Sequence, residues 1–241
     1  DLALVANGSL QLVVGENTTY TLEGQITEPD GAITDSDGKP TPMILEGGNF
    51  VLAAPQSHNA PTYLDAANVK FDNDQAFSSG AIRLREVISG DGDDDPLGFG
   101  ATLEAINGTR TLANDIEWRP GAAGSATIKG DIVHTGAFSI VGDRQINVEA
   151  GGRLALNGSV DVLPADGGST TFRIGGDGTG VVELNTSVPG VSGINVVAGG
   201  TLSGNGTING QLAATGGTIA PGASAGTLTV TGGDITMDAD S

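Results

Sequence analysis

The sequence predicts an all-β protein built as a parallel β-solenoid (β-helix), with irregular loop insertions in its N-terminal half. Three observations predict it. The composition is rich in glycine and poor in aromatics, glycine pairs recur near every 16 residues in the second half, and short segments of alternating polarity lie between them.

Composition comes first, because it excludes most other folds. In 241 residues there are 40 Gly against 6 Phe, 2 Tyr, 1 Trp and 2 Met. A core must therefore come from Val, Ile, Leu and Ala around many tight turns. Helical bundles are disfavoured, since each interior glycine costs about 1 kcal/mol relative to alanine. Collagen is excluded by the missing Gly-X-Y period and only 10 Pro.

The pairs are Gly151-Gly152, Gly167-Gly168, Gly175-Gly176, Gly199-Gly200, Gly216-Gly217 and Gly232-Gly233. Their surroundings agree too: Glu149 to Leu154, Val197 to Leu202, Ala214 to Ile219 and Val230 to Ile235 each read as a turn entering a strand. Between them, Ser159 to Val162, Thr227 to Val230 and Asp234 to Met237 place an apolar residue at every second position. Such a period of two marks half-buried strands. At roughly 17 residues per coil, the second half would hold about seven rungs spaced ~4.8 Å apart.

Two regions are predicted. Residues 1–120 form an irregular acidic β region, read as solenoid rungs carrying loops, with a separate β-sandwich as the other reading. Residues 121–241 form the regular glycine-rich solenoid. The first region holds 13 of the 40 glycines but 19 of the 29 carboxylates, and no Lys or Arg follows Arg173. Helical signal is weak throughout, with room for one short helix in each of Leu64 to Phe71 and Leu103 to Ile116.

The net charge of −19 argues against nucleic acid and anionic lipid as partners. There is no cysteine, which removes disulfides and thiolate chemistry. Leu2 to Val5 is too short to span a membrane, so no membrane insertion by this chain is expected. A start at Asp1 is read as a processed chain or a fragment.

The stretch Gly199 to Leu212, followed by Thr218-Ile-Ala-Pro-Gly-Ala-Ser-Ala-Gly-Thr-Leu-Thr-Val230, resembles the autotransporter-associated β-strand repeat. Pro221 to Leu228 is the most specific piece, and the match weakens back toward Thr127. The resemblance implies a right-handed parallel β-helix exported to the bacterial cell surface or beyond, and it implies no catalytic residue.

Few constellations carry chemistry. Asp91, Asp93 and Asp95 have the spacing of the first three ligands of a calcium loop, but Pro96 stands where Gly is needed and Thr102 where a bidentate Glu belongs. Calcium there is the one cofactor expectation, against a solvated loop tip. Asp35 to Gly38 and Asp72 to Asp74 read as Asx turns. Gly175 to Gly180 reads as a corner; it lacks both the calcium ligand of the nonapeptide repeat and the Lys of a phosphate loop.

A polysaccharide-active enzyme is a further reading, since many β-helices are lyases or hydrolases. An acidic polymer would need a basic groove, but Arg83 and Arg85, two apart on one strand face, stand alone in a chain at −19, and Trp118, Tyr20 and Tyr63 are too few and scattered for a sugar platform. His58 and His134 are expected at the surface or in turns. Asn-x-Ser/Thr sites occur at Asn7, Asn17, Asn107, Asn157, Asn185 and Asn205, four of them in the turn dipeptide Asn-Gly.

Neither end reads as capped, which predicts a cut from a longer solenoid or stacking of copies end to end. The expected function is a non-enzymatic extracellular or cell-surface structural protein whose partner is itself, head to tail. An adhesin fragment that binds a surface or glycan is the other reading.

Overall fold

The structure is a computed structural model of the whole chain, described here for residues 2–3, 10–15, 17–27, 42–85, 100–118, 125–164, 168–190, 193–222 and 226–241. Alternation sets the two faces of each strand. In Ser125–Lys129, Ala126 and Ile128 are buried while their neighbours are half-buried, and Asp131–His134 and Val181–Leu184 repeat the pattern. A four-residue strand that buries two aliphatic side chains gains about 3–6 kcal/mol. Ordering its backbone costs about as much. Strands this short therefore persist only as members of a stack.

The stack has three walls, and every strand pairing in it is parallel. One wall is a ten-stranded sheet from Thr19–Leu22 to Ile235–Met237. A second holds seven strands, from Leu10–Val13 to Val160–Leu163, and a three-stranded sheet from Ser187–Val188 to Thr229–Thr231 packs beside its end. The third holds six strands, from Arg110–Leu112 to Thr218–Pro221. Near the N-terminus, Leu2–Ala3 pairs with Ile26–Thr27 in a separate two-stranded sheet. The chain visits the walls in turn, as in Ser125–Lys129, Asp131–His134 and Phe138–Val141, before Arg144–Val148 returns beside Ser125–Lys129. This is a parallel β-solenoid, and both long sheets draw strands from each side of residue 120.

The coil is longer than the glycine spacing predicts. Thr201 lies opposite Thr218, 17 residues on, but Val181 opposite Thr201 is a step of 20, Asp131 opposite Arg153 a step of 22, and Arg153 opposite Val181 a step of 28. Six strands of the ten-stranded wall come from the second half, rather than seven. The longest steps enclose residues outside the described set. Leu10 pairs with Met43 across 28–41, and Asn68 pairs with Thr102 across 86–99.

The glycine pairs belong to more than one corner, which explains the misjudged period. Register places Gly108, Gly130, Gly152, Gly180, Gly200 and Gly217 in a single column, each one residue before its strand of the third wall except Gly108, which is two before. Gly175-Gly176 instead follows the strand Thr171–Ile174, and Gly232-Gly233 lies between Thr229–Thr231 and Ile235–Met237. The column is tight. A Cβ on Gly130 would lie 2.2 Å from the Ala105 carbonyl oxygen, and one on Gly180 2.4 Å from that of Glu149. The inter-rung ladder continues through these corners, with Arg153 N donating to Gly130 O at 2.8 Å and Thr218 N to Gly200 O at 3.0 Å.

Among the described residues there is no helix. Leu64 to Phe71 divides into the strands Thr62–Asp65 and Asn68–Phe71, bent at Ala66 with φ 50°. Leu103 to Ile116 spans the strands Thr102–Ala105 and Arg110–Leu112 and the start of Ile116–Trp118. Trp118 lies inside the solenoid, 1% exposed. The apolar walls leave a small dry void of about 20 Å³ near it, bounded by Leu103, Leu112, Ile128 and Phe138.

Glycine corners give a direct test. Gly158→Ala would put a methyl 1.9 Å from the Gly136 carbonyl oxygen, whereas the nearest atom to a Cβ on Gly193 is 3.6 Å away. Gly158→Ala is expected to lose about 2–3 kcal/mol in urea unfolding, and Gly193→Ala to stay within about 0.5 kcal/mol of the parent. Equal losses would show that corner packing does not set the cost.

Candidate functional site

Outward-facing charges on the walls meet their neighbours on the next rung. On the ten-stranded wall, register stacks Lys70 against Glu104 and Glu104 against Lys129, with Glu149 next in line. Lys70 Nζ lies 3.1 Å from Glu104 and Lys129 Nζ 2.7 Å from Glu149. The sign alternates up the wall.

Arg83 occupies the middle of a similar stack on the seven-stranded wall, between Tyr63 and Glu117. Its Nε donates to Glu117 at 2.9 Å, its Nη1 donates to Tyr63 Oη at 2.8 Å, and its guanidinium sits 5.4 Å from the Tyr63 ring centre. Burial lowers the Arg83 pKa, but bonding to Glu117 and Tyr63 outweighs it and raises the pKa. Arg83 is thus neutralised on its own wall, so it offers no free charge to the basic groove that an acidic polymer substrate would need.

The third wall holds the most connected group. Arg153 donates through Nε to Asp131 at 2.9 Å and through Nη1 to Glu183 at 2.7 Å, while Thr109 Oγ1 donates to Asp131 and Asn185 Nδ2 to Glu183. Hydrogen bonds from Asn185 and then Arg153 hold the Glu183 carboxyl below its ordinary value against its partial burial. Burial pushes Asp131 up, but donation from Thr109 and Arg153 prevails and leaves it low. These groups are charged and partly solvated, so each pair contributes modestly.

A second arrangement lies inside. His58 and His134, expected at the surface or in turns, are both fully buried, and His134 closes the strand Asp131–His134. They belong to a polar seam at one corner. Gln56 Oε1 accepts from Ile26 N at 2.6 Å, and Ser78 Oγ donates to His58 O. Asn114 Nδ2 donates to Gly80 O at 2.7 Å and to Ser78 O at 3.0 Å, and His134 Nε2 donates to Asn114 O at 2.8 Å. Carbonyl oxygens only accept, so the His134 proton sits on Nε2 and its buried Nδ1 has no hydrogen-bond partner among the described residues. Burial lowers the His134 pKa, opposed by the Asn114 bond and the charge of Asp115. Register sets His134 in a column with Leu112, Leu156 and Leu184.

Outside, a groove of about 480 Å³ runs along another corner, lined by Asn17, Gly47, Gly48, Asn49, Asn68 and Gly100. Left-handed backbone at Asn17 and Gly47, φ 64° and 65°, opens it. Its lining is neutral amide and main chain, which suits a hydroxyl-rich ligand better than an ion. Asn157, Asn185 and Asn205 form a further column, with Asn185 Nδ2 donating to Asn157 Oδ1 at 2.9 Å. Three of the six glycan acceptor sites are thus stacked on adjacent rungs.

The calcium ligands expected at Asp91, Asp93 and Asp95 lie outside the described residues. Among the described residues, no cluster of three or more His, Asp or Glu side chains could hold a metal ion. No helix of the described residues is long and apolar enough to cross a membrane.

The seam makes stability depend on pH. The unfolded imidazole takes up a proton near pH ~6.5, whereas buried His134 does so only at lower pH. Between those values the unfolded chain binds more protons, so the folded state loses stability as pH falls below ~6.5. His134→Leu, which matches its column, is expected to gain on the parent as pH drops from about 7.5 to about 5.5, read as the difference between urea midpoints. A difference constant with pH would overturn this assignment. Compared with known proteins, the chain matches no family model, no curated protein and no solved structure.

Proposed function

We propose that this chain is a non-enzymatic structural module of the cell surface or extracellular space: a β-solenoid stalk or filament subunit that stacks on copies of itself. The observation that carries this reading is the use made of outward charge. Lys70, Arg83, Lys129 and Arg153 each tie one rung to another rather than converging on a cleft. Three walls of parallel ladder cross-braced in this way resist bending and shear. Resemblance of the last rungs to the autotransporter-associated repeat supports the location.

The terminal rungs support self-association. Ile235 and Met237 follow the inward residues Leu212 and Ala214 in register, yet each is 58% exposed. At the other end Tyr20 continues the inward column of Phe50 and Val69 and is 42% exposed. A further rung at either end would cover them. Asp234, Asp238 and Asp240 near one end and Glu23 near the other repel, so stacking is expected to strengthen with salt.

Negative-stain microscopy across salt concentrations, with and without chelator, tests the proposal. Filaments one solenoid wide that lengthen with salt are expected, and their loss on chelation would show that a divalent cation also joins the copies. Monodisperse monomers at high concentration in every salt would overturn it. The second reading, an adhesin that binds glycans, is favoured by the neutral corner groove. Glycan-array binding that is lost in Asn68→Ala with unchanged folding would move the function there.

A further inference from the structure

Four Asn-Gly dipeptides lie among the described residues: Asn107-Gly108, Asn157-Gly158, Asn205-Gly206 and Asn209-Gly210. Such a dipeptide can react with itself. The glycine main-chain nitrogen attacks the asparagine side-chain carbonyl carbon, a C–N bond forms, and ammonia leaves to give a five-membered succinimide. Water then opens the ring to aspartate or isoaspartate. The reaction needs a glycine N–H free of other bonds, a side-chain amide free to swing onto it, and room above the glycine.

The fold denies these conditions to three of the four. Gly158 N donates to His134 O at 3.3 Å, Gly206 N to Leu184 O at 2.8 Å and Gly210 N to Thr231 O at 2.8 Å. Asn157 Oδ1 is held by Asn185 at 2.9 Å, and Asn205 Oδ1 accepts from Thr227 N at 3.3 Å. A Cβ on Gly158 or Gly206 would meet a carbonyl oxygen at 1.9 or 2.3 Å.

Asn107-Gly108 differs on every count. Both residues are exposed, and neither the Gly108 N–H nor the Asn107 side-chain amide has a hydrogen-bond partner among the described residues. A Cβ on Gly108 would meet nothing within 4 Å, and both residues have left-handed backbone, φ 60° and 108°. The flanks are fixed nonetheless. Arg110 donates through Nε to Ile106 O at 3.1 Å and through Nη2 to Asn107 O at 2.9 Å. Its cation also favours the carboxylate that the reaction leaves behind.

We propose that, of the Asn-Gly pairs among the described residues, Asn107 is the one at which the folded chain deamidates, through a succinimide with Gly108 and with water as the only co-reactant. The product adds one negative charge at this corner. In the isoaspartyl form it also adds one methylene to the main chain between two strands whose register the corner sets.

Peptide mapping by mass spectrometry, on the full chain aged at mildly alkaline pH, tests this. Conversion at Asn107 is expected to run roughly tenfold or more faster than at Asn157, Asn205 and Asn209, the ratio that one or two lost protective hydrogen bonds would give. A sample aged in urea should convert all four at similar rates, showing that the fold makes the difference. Rates within about twofold at all four sites in the folded chain, or an inert Asn107 beside reactive sites in urea, would overturn the proposal.

Discussion

A parallel strand can bond only to a neighbour that runs the same way, so the chain must travel a full circuit before it meets itself. Everything else in this molecule follows from that circuit. It requires corners in every rung, and it sets each corner directly on the one before it at the spacing of the backbone ladder. A side chain at a stacked corner competes for space with the carbonyl of the rung below, which is why one column holds glycine from Gly130 to Gly217, while Gly108 at its start faces open space. The walls between corners are free to vary in their outward residues. Inward, they must keep the alternation that fills the core.

In-register stacking also makes like positions into neighbours. Aliphatic residues then form continuous inner columns, and polar ones form ladders whose members satisfy one another. Two kinds of ladder result here. The outer kind, around Arg153 and Lys70, costs little desolvation and contributes modestly at each step. The inner kind, through Gln56, Asn114 and His134, satisfies buried carbonyls and amides that the irregular corner leaves without strand partners. Removing one partner there leaves a buried group unpaired, which is the more expensive event.

Much of this architecture is legible in the residues. Gly151-Gly152, Gly199-Gly200 and Gly216-Gly217, each followed by a strand, mark a true column. Gly130 and Gly180 belong to it but stand singly, and Gly175-Gly176 and Gly232-Gly233 fall elsewhere, so counting pairs shortens the period. Leu64 to Phe71 and Leu103 to Ile116, which have room for a short helix, form strands instead because their apolar residues serve two walls, with a turn at Ala66 or Asn107 between them. Burial of His134 had a signal in Asp131-Ile-Val-His134, where His134 shares the parity of buried Ile132. His58 had none, lying where the third wall has no regular strand. The groove at Asn49 and Asn68 was likewise out of reach, because residues 19 apart become neighbours only through register.

The alternating column of Lys70, Glu104, Lys129 and Glu149 carries a parity. Deleting or duplicating a single rung within it would bring two lysines or two glutamates face to face, while adding or removing rungs in pairs would keep every contact opposite in sign. Repeat proteins grow by copying units, and on this wall the unit that copies without penalty is two turns of the coil rather than one.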